Sequence, residues 1–319
     1  MEVAPGIHRI EAPLADRIVC AYVVRGASRT ILVDTGIAQT PAESIVPALA
    51  EIGLEPGDVD LVVVSHADID HSGGNGAFQA LAPRATYLAH AADCALIENV
   101  ELLLSDRYGE QAASDGIDDP EAAKDWVRAS ATDIPIDVKL SGEGAVSVGP
   151  DDELAILHTP GHSLGHLTLW RERDRVAIIA DAVLSDALVT VDGAPAFPPT
   201  YRYLPAYRET IDRIRALRPA VLLTSHFPVM NGDEVGEFLD RSQRFVERLD
   251  DALASALAAE SRTLRDLIDE LSPQVGTWPE ATRDAMRFPL TGHLEELVAA
   301  GSIREETDGP VRRFARSHP

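Results

Sequence analysis

Short apolar, β-branched runs alternate along most of the chain with segments whose apolar positions recur at helical spacing. Ile7–Ile10, Ile18–Val24 and Thr30–Val33 are separated by turn formers, Gly26, Ala27 and Ser28 among them, and predict antiparallel hairpins. Thr40–Ile52 predicts a helix with Thr40 as N-cap and Pro41 at the first helical position, stopped by Gly53. Leu61–Val64 predicts a buried strand, Gly74–Leu81 a helix and Thr86–Ala89 a strand. Ala91–Leu104 and Pro120–Ala131 are rich in helix formers and flank an acidic loop, Ser114–Pro120. Strands are expected again at Asp152–Leu157, Leu167–Arg171, Val176–Ile179 and Ala220–Thr224, with helices at Glu209–Leu217 and Glu234–Ala259. This alternation predicts a layered α/β architecture. Four prolines between Val183 and Tyr207 argue against helix through most of that stretch.

From Thr263 the texture changes. Leu264–Leu271, Ala281–Phe288 and Thr291–Ala300 predict three helices, followed by strands Ser302–Glu306 and Val311–Ala315 around Asp308-Gly309, an order that resembles a winged helix. The expected organisation is a catalytic unit over residues 1–250, with a helical insert at about 92–138 that reads as a lid or a surface hairpin, and a C-terminal winged-helix-like module over 251–319. Residues 261–319 hold eight Arg and no Lys against ten acidic residues, so the module lacks a nucleic-acid binder's charge, and a role as cap or interaction surface is expected.

Candidate chemistry is concentrated in VDLVVVSHADIDHSGGNGAF, Val59–Phe78. His66, Asp68, Asp70 and His71 follow the strand within six residues, and a divalent cation is what neutralises such carboxylates while accepting imidazole nitrogens. The segment resembles the H-x-H-x-D-H signature of the metallo-β-lactamase superfamily, with Asp68 where the common pattern has His. The partners that pattern demands follow in order: Val33-Asp34-Thr35-Gly36 before the motif, then Thr159-Pro160-Gly161-His162-Ser163, Ala180-Asp181 and Ser225-His226. The resemblance covers roughly Ile7 to Asp240.

It implies a four-layer αββα sandwich with a metal cleft along one edge. It also implies His66, Asp68 and His162 as ligands of a first metal, Asp70, His71 and His226 of a second, and Asp181 between them. A bridging hydroxide would be the nucleophile and Asp70 a proton carrier, while Asp34 would support the ligands from behind or merely form a turn. Two divalent ions are expected, zinc foremost, with iron or manganese admitted because Asp68 hardens the donor set. His166 reads as a structural neighbour, His158 and His90 as ordinary loop or strand-end residues, and His8, His293 and His318 have no companions. Tyr201, Tyr203 and Tyr207, in the proline-rich loop after Asp181, are candidates either for substrate contact or for the core.

The formal charge of −24 disfavours phosphate backbones and anionic membrane surfaces. Two cysteines, Cys20 and Cys94, without a metal or redox spacing, read as core residues in a reducing cytoplasm, and neither a secretory signal nor a spanning run is apparent. The resulting expectation is a dinuclear metallohydrolase of a small ester-like substrate, a lactone or thioester, with a homodimer admitted. The alternatives are a flavodiiron-like diiron redox enzyme needing a separate electron donor, and a non-catalytic binding or regulatory protein.

Overall fold

A computed structural model describes residues 1–258, 260–307 and 309–317. The expected helix end at Ala259, the loop residue Asp308 and His318 lie outside the described residues. Strands β1 (Glu2–Ala4), β2 (Ile7–Leu14), β3 (Arg17–Arg25) and β4 (Thr30–Val33) are antiparallel neighbours, and β5 (Leu61–Val63), β6 (Thr86–His90) and β7 (Val138–Leu140) extend the sheet in parallel. A second sheet, built from β8 (Gly144–Gly149), β9 (Asp152–His158), β10 (Leu167–Arg171) and β11 (Val176–Ala180), packs against the first. After a small hairpin of β12 (Leu188–Val189) and β13 (Pro195–Phe197), β14 (Val221–Thr224) pairs parallel to β11, and β15 (Met230–Asn231) closes the edge.

Alternation along the strands sorts the core into layers. Ile31 and Val33 of β4 point between the sheets, with Tyr22, Leu154, Ile156, Ile178 and Leu223. Leu32 points the other way, with Val62 and Tyr87, against the helical side chains Ile45, Leu49 and Phe78. On the far face, Trp170, Ala177 and Leu222 meet Ile211, Ile214, Phe238 and Phe245 from helices Leu204–Leu217 and Asp233–Ala256. The architecture is thus helix, sheet, sheet, helix, as expected.

Helix Asp233–Ala256 runs unbroken across residue 250, where a unit boundary was expected. Its Leu253 and Ala256 share one apolar cluster with Leu264, Leu267, Leu271, Leu290 and Leu294 of the C-terminal helices Leu264–Val275 and Arg287–Ala299. Strands β16 (Arg262–Thr263), β17 (Ile303–Glu306) and β18 (Arg313–Arg316) complete that end in the order β16-β18-β17. No helix among the described residues is long and apolar enough to cross a membrane.

Three local expectations are corrected. Thr40 is itself helical and caps nothing; its Oγ1 accepts from the Ile37 N–H at 3.1 Å, and a π-wound turn, Pro41–Ile45, precedes the α-helix Val46–Glu51. Ala91–Leu104 is not one helix: Asn99 accepts from the N–H groups of Glu101 and Leu102, which starts a new turn, and the chain continues into a π-wound turn, Leu103–Tyr108. Helix begins at Leu204, earlier than expected, because Pro205 occupies the first turn, where no N–H is needed.

Candidate metal centre

The strand ends deliver the site. Backbone strain marks three of them: Asp34 after β4 has φ 63°, Ala180 before Asp181 has φ 42°, and Gly161 in the Thr159–Ser163 loop has φ 142°. Such values persist only where the surroundings enforce them, and they cluster where side chains must be aimed. At Gly161 a Cβ would lie 2.6 Å from Tyr207 Cα, so only glycine lets this loop lie against the Leu204–Leu217 helix while presenting His162.

Asp34 is buried and organises the first motif. It accepts from Ser65 N–H at 2.7 Å and Ser65 Oγ at 2.7 Å, and its Oδ2 lies 2.8 Å from His71 Nδ1. Because Ser65 gives its proton to Asp34, His66 Nδ1–H donates to Ser65 Oγ at 2.9 Å. His226 Nδ1–H donates to the Ile18 carbonyl at 2.8 Å and His162 Nδ1–H to the Thr200 carbonyl at 3.2 Å. All four imidazoles therefore have Nδ1 occupied, which leaves the Nε2 lone pairs for the site.

Those nitrogens and three carboxylates converge. Asp68 Oδ2 lies 2.8 Å from His162 Nε2 and 3.5 Å from His66 Nε2. Asp181 Oδ2 lies 3.2 Å from His226 Nε2 and 3.7 Å from His71 Nε2, and Asp70 Oδ2 lies 3.5 and 3.9 Å from the same two nitrogens. Three sets, His66/Asp68/His162, Asp70/His71/His226 and His66/His71/Asp181, each bring their ligand atoms within 4.8 Å of one another. Among the described residues His66 Nε2, His71 Nε2 and Asp181 Oδ1 are buried without a hydrogen-bond partner. Stranding three such atoms in one place is costly unless a cation receives them, so this donor set fits divalent metal.

The electrostatics agree. Burial alone would raise the Asp181 carboxyl, but His226 and His71 hold it well below the usual range. Burial likewise opposes ionisation of Asp68, and the Arg107 guanidinium overrides it. His166 stacks on His66 with ring centroids 4.9 Å apart, and burial lowers its pKa well below the ordinary value; it lies outside the three sets.

Three functional side chains were invisible to sequence patterning. Arg107, buried in the helical insert, reaches both oxygens of Asp68, Nε to Oδ1 at 2.5 Å and Nη2 to Oδ2 at 2.8 Å. Tyr108 Oη accepts from Ile69 N–H at 3.0 Å. Asp93 accepts from Ala67 N–H, Ser163 Oγ and Gly165 N–H, tying the two histidine loops together.

A cleft of about 300 Å³ opens over the donors, walled by Ile69, Tyr108, Trp126, Phe197 and Phe288, with Asp68, Asp70, Asp181 and His226 at its floor. Ala281, Thr282, Asp284, Ala285, Arg287 and Phe288 place the C-terminal helices on one wall, and Tyr108, Asp119 and Trp126 place the insert on another. Tyr201, Tyr203 and Tyr207, candidates either for substrate contact or for the core, are not among its lining residues. Tyr201 and Tyr207 stack on each other in the core, Tyr201 Oη 2.8 Å from His293 Nε2 and Tyr207 Oη accepting from Leu184 N–H. Tyr203 sits outside, under Arg202. His293 accordingly does have companions, since its Nδ1 lies 2.7 Å from Asp250.

The chain is similar to known proteins. An acyl-coenzyme A thioesterase from Gallus gallus is 27% identical over 177 residues, 53% of this chain and 58% of the relative. An N-acyl homoserine lactonase from a Bacillus species is 27% identical over 184 residues, 51% of this chain and 61% of the relative, so the matches span less than two thirds of these relatives' own lengths. Among solved structures, a metallo-beta-lactamase family protein from Thermus thermophilus superposes with a TM-score of 0.77 at 24% identity, covering 99% of this chain and 100% of that one. A beta-lactamase domain protein from Burkholderia ambifaria superposes with a TM-score of 0.75 at 21% identity, covering 99% and 94%. These two share the fold. The family model for the metallo-beta-lactamase superfamily matches residues 15–226, the span that carries every donor described above, and the chain belongs to that superfamily.

Proposed function

We propose that the protein is a metal-dependent hydrolase of a small ester-like substrate, a lactone or a thioester. The observation that carries this reading is the convergence of seven donors, His66, Asp68, Asp70, His71, His162, Asp181 and His226, four of which, Asp68, Asp70, Asp181 and His226, line a cleft walled by apolar and aromatic side chains. Divalent ions bound there, zinc foremost with iron or manganese as alternatives, would supply hydroxide near neutral pH and polarise a carbonyl oxygen. Asp70 lines the cleft and stands 3.5 Å from His226, placed to hold and pass a proton at Oδ2. Trp126, Phe197 and Phe288 would hold an acyl chain or ring and exclude water around it. The thioesterase and lactonase among the relatives act on substrates of this class, which supports the reading.

The C-terminal helices and hairpin, winged-helix-like in order, serve on this reading as a cleft wall rather than a nucleic-acid surface. Arg312 of the wing is paired with Asp115 of the insert at 2.5 Å, and Arg313 with Ser261, so neither cation is free for phosphate. The test is turnover of a lactone and thioester panel by metal-loaded protein, with His226→Ala and Asp70→Ala alongside. The expected outcome is acid release that falls at least a hundredfold in both variants; no turnover across the panel would contradict the proposal.

A further inference from the structure

The two halves of the donor set are not equivalent. In one half, His71 Nε2 and Asp181 Oδ1 are buried without a partner among the described residues, and Asp70 and His226 complete the group. In the other, His66 Nε2 is likewise without a partner, but the remaining two of its three donors, Asp68 and His162, are already engaged by a cation that the protein supplies. Arg107 is buried and holds Asp68 by both oxygens; its Nη1 donates to the His162 carbonyl at 3.2 Å, and its Nη2 lies 3.0 Å from His162 Nε2.

The proton positions sharpen this. His162 Nδ1 can only donate to the Thr200 carbonyl, so in the neutral ring Nε2 carries a lone pair. That lone pair and Asp68 Oδ2 face each other at 2.8 Å, a separation two acceptors hold only when they share a cation or a donor. Arg107 Nη2 sits 2.8 and 3.0 Å from them and fills that role. A guanidinium cannot shed its charge in a protein, so the positive charge it brings to this half-site does not depend on pH. The anchoring is also built in. Arg107 belongs to the π-wound turn Leu103–Tyr108, whose next residue, Tyr108, is bonded to Ile69 N–H, so the turn is fixed to the motif loop at two consecutive positions.

We propose that Arg107 stands in for a cation at the His66/Asp68/His162 half-site, so that the protein holds one divalent ion tightly, at Asp70, His71, Asp181 and His226, and a second only weakly. Asp68 and Arg107 act as a unit. The carboxylate that departs from the usual histidine is neutralised by the arginine, and its lone pairs are directed to the guanidinium rather than to metal. Arg107 is a positioning residue here, and the insert that carries it sets the metal content of the centre. This rests on the metal-binding part of the proposed function and is independent of the substrate.

The experiment reads stoichiometry, not turnover. Full-length protein loaded with excess zinc is desalted into metal-free buffer and its zinc measured by elemental analysis, in parallel with Arg107→Met and Arg107→Lys. The expected result is one zinc per chain in the parent and in Arg107→Lys, which keeps a cation beside Asp68, and two in Arg107→Met, where Asp68 and His162 are released. Should Arg107→Met fail to fold, the parent alone decides. Zinc titration against a competing chelator is expected to give two dissociation constants at least about a hundredfold apart. Two zinc ions retained by the parent, constants within tenfold of each other, or one zinc in a folded Arg107→Met would each overturn the proposal. Retention of no zinc would remove the metal reading as well, whereas an absence of lactone or thioester turnover would leave this proposal standing.

Discussion

Replacing Asp34 by Asn tests whether the histidine network creates the metal site or merely decorates it. Asp34 is buried and receives three hydrogen bonds, from Ser65 N, Ser65 Oγ and His71 Nδ1, at 2.7, 2.7 and 2.8 Å. Asparagine has nearly the same shape and tolerates the φ of 63°, so the backbone strain is unchanged. The amide can keep its bond from Ser65 N, but its NH2 now faces His71 Nδ1. To accept from it, His71 must move its proton to Nε2, the atom the metal needs. Partners behind a ligating histidine are worth 10–100-fold in metal affinity, which at about 1.36 kcal/mol per decade is about 1.4–2.7 kcal/mol. Chelator competition would measure the zinc dissociation constant of Asp34→Asn and parent, with circular dichroism establishing that both are folded. An affinity within threefold of the parent, in a folded variant, would refute the reasoning.

Other substitutions probe the frame. Gly161→Ala would place a methyl 2.6 Å from Tyr207 Cα at a φ of 142°, and a loss of about 2–4 kcal/mol in urea unfolding is expected; an unchanged midpoint would contradict the close approach. Phe238→Ala removes a fully buried ring stacked edge-on to Phe227 at 5.1 Å, with an expected cost of about 3–5 kcal/mol by the same assay; a cost below about 1 kcal/mol would contradict its place in the core. Burial pushes the thiols of Cys20 and Cys94 up to about 11. At pH 8 only roughly 0.1% of each is thiolate, so a disulfide reagent should titrate neither thiol in the native protein and both in denaturant; fast native reaction would contradict this.

The fold was legible because its strands are continuous β-branched runs whose ends carry unlike chemistry, as at Val62–His66 and Val176–Asp181. Each donor follows such a run or a Pro-Gly turn, so order along the chain sufficed to group them. What failed to show had no local signature. Arg107 lies in an insert whose composition reads only as helical, and it stands 39 positions along the chain from Asp68. The tyrosines were ambiguous because Tyr201 and Tyr207 follow prolines in a segment that reads as loop, whereas Tyr207 lies in a helix with Pro205 in its first turn and both rings are buried. The change of texture after Thr263 concealed that helix Asp233–Ala256 runs across residue 250 and shares an apolar cluster with the helices that follow.

The most direct test of the central claim is anomalous diffraction at the zinc edge from crystals of the parent protein grown with zinc. The account predicts a strong peak bounded by Asp70, His71, Asp181 and His226, about 2.0–2.2 Å from their ligand atoms. Crystals that diffract well and show no anomalous peak among these four side chains at millimolar zinc would contradict it.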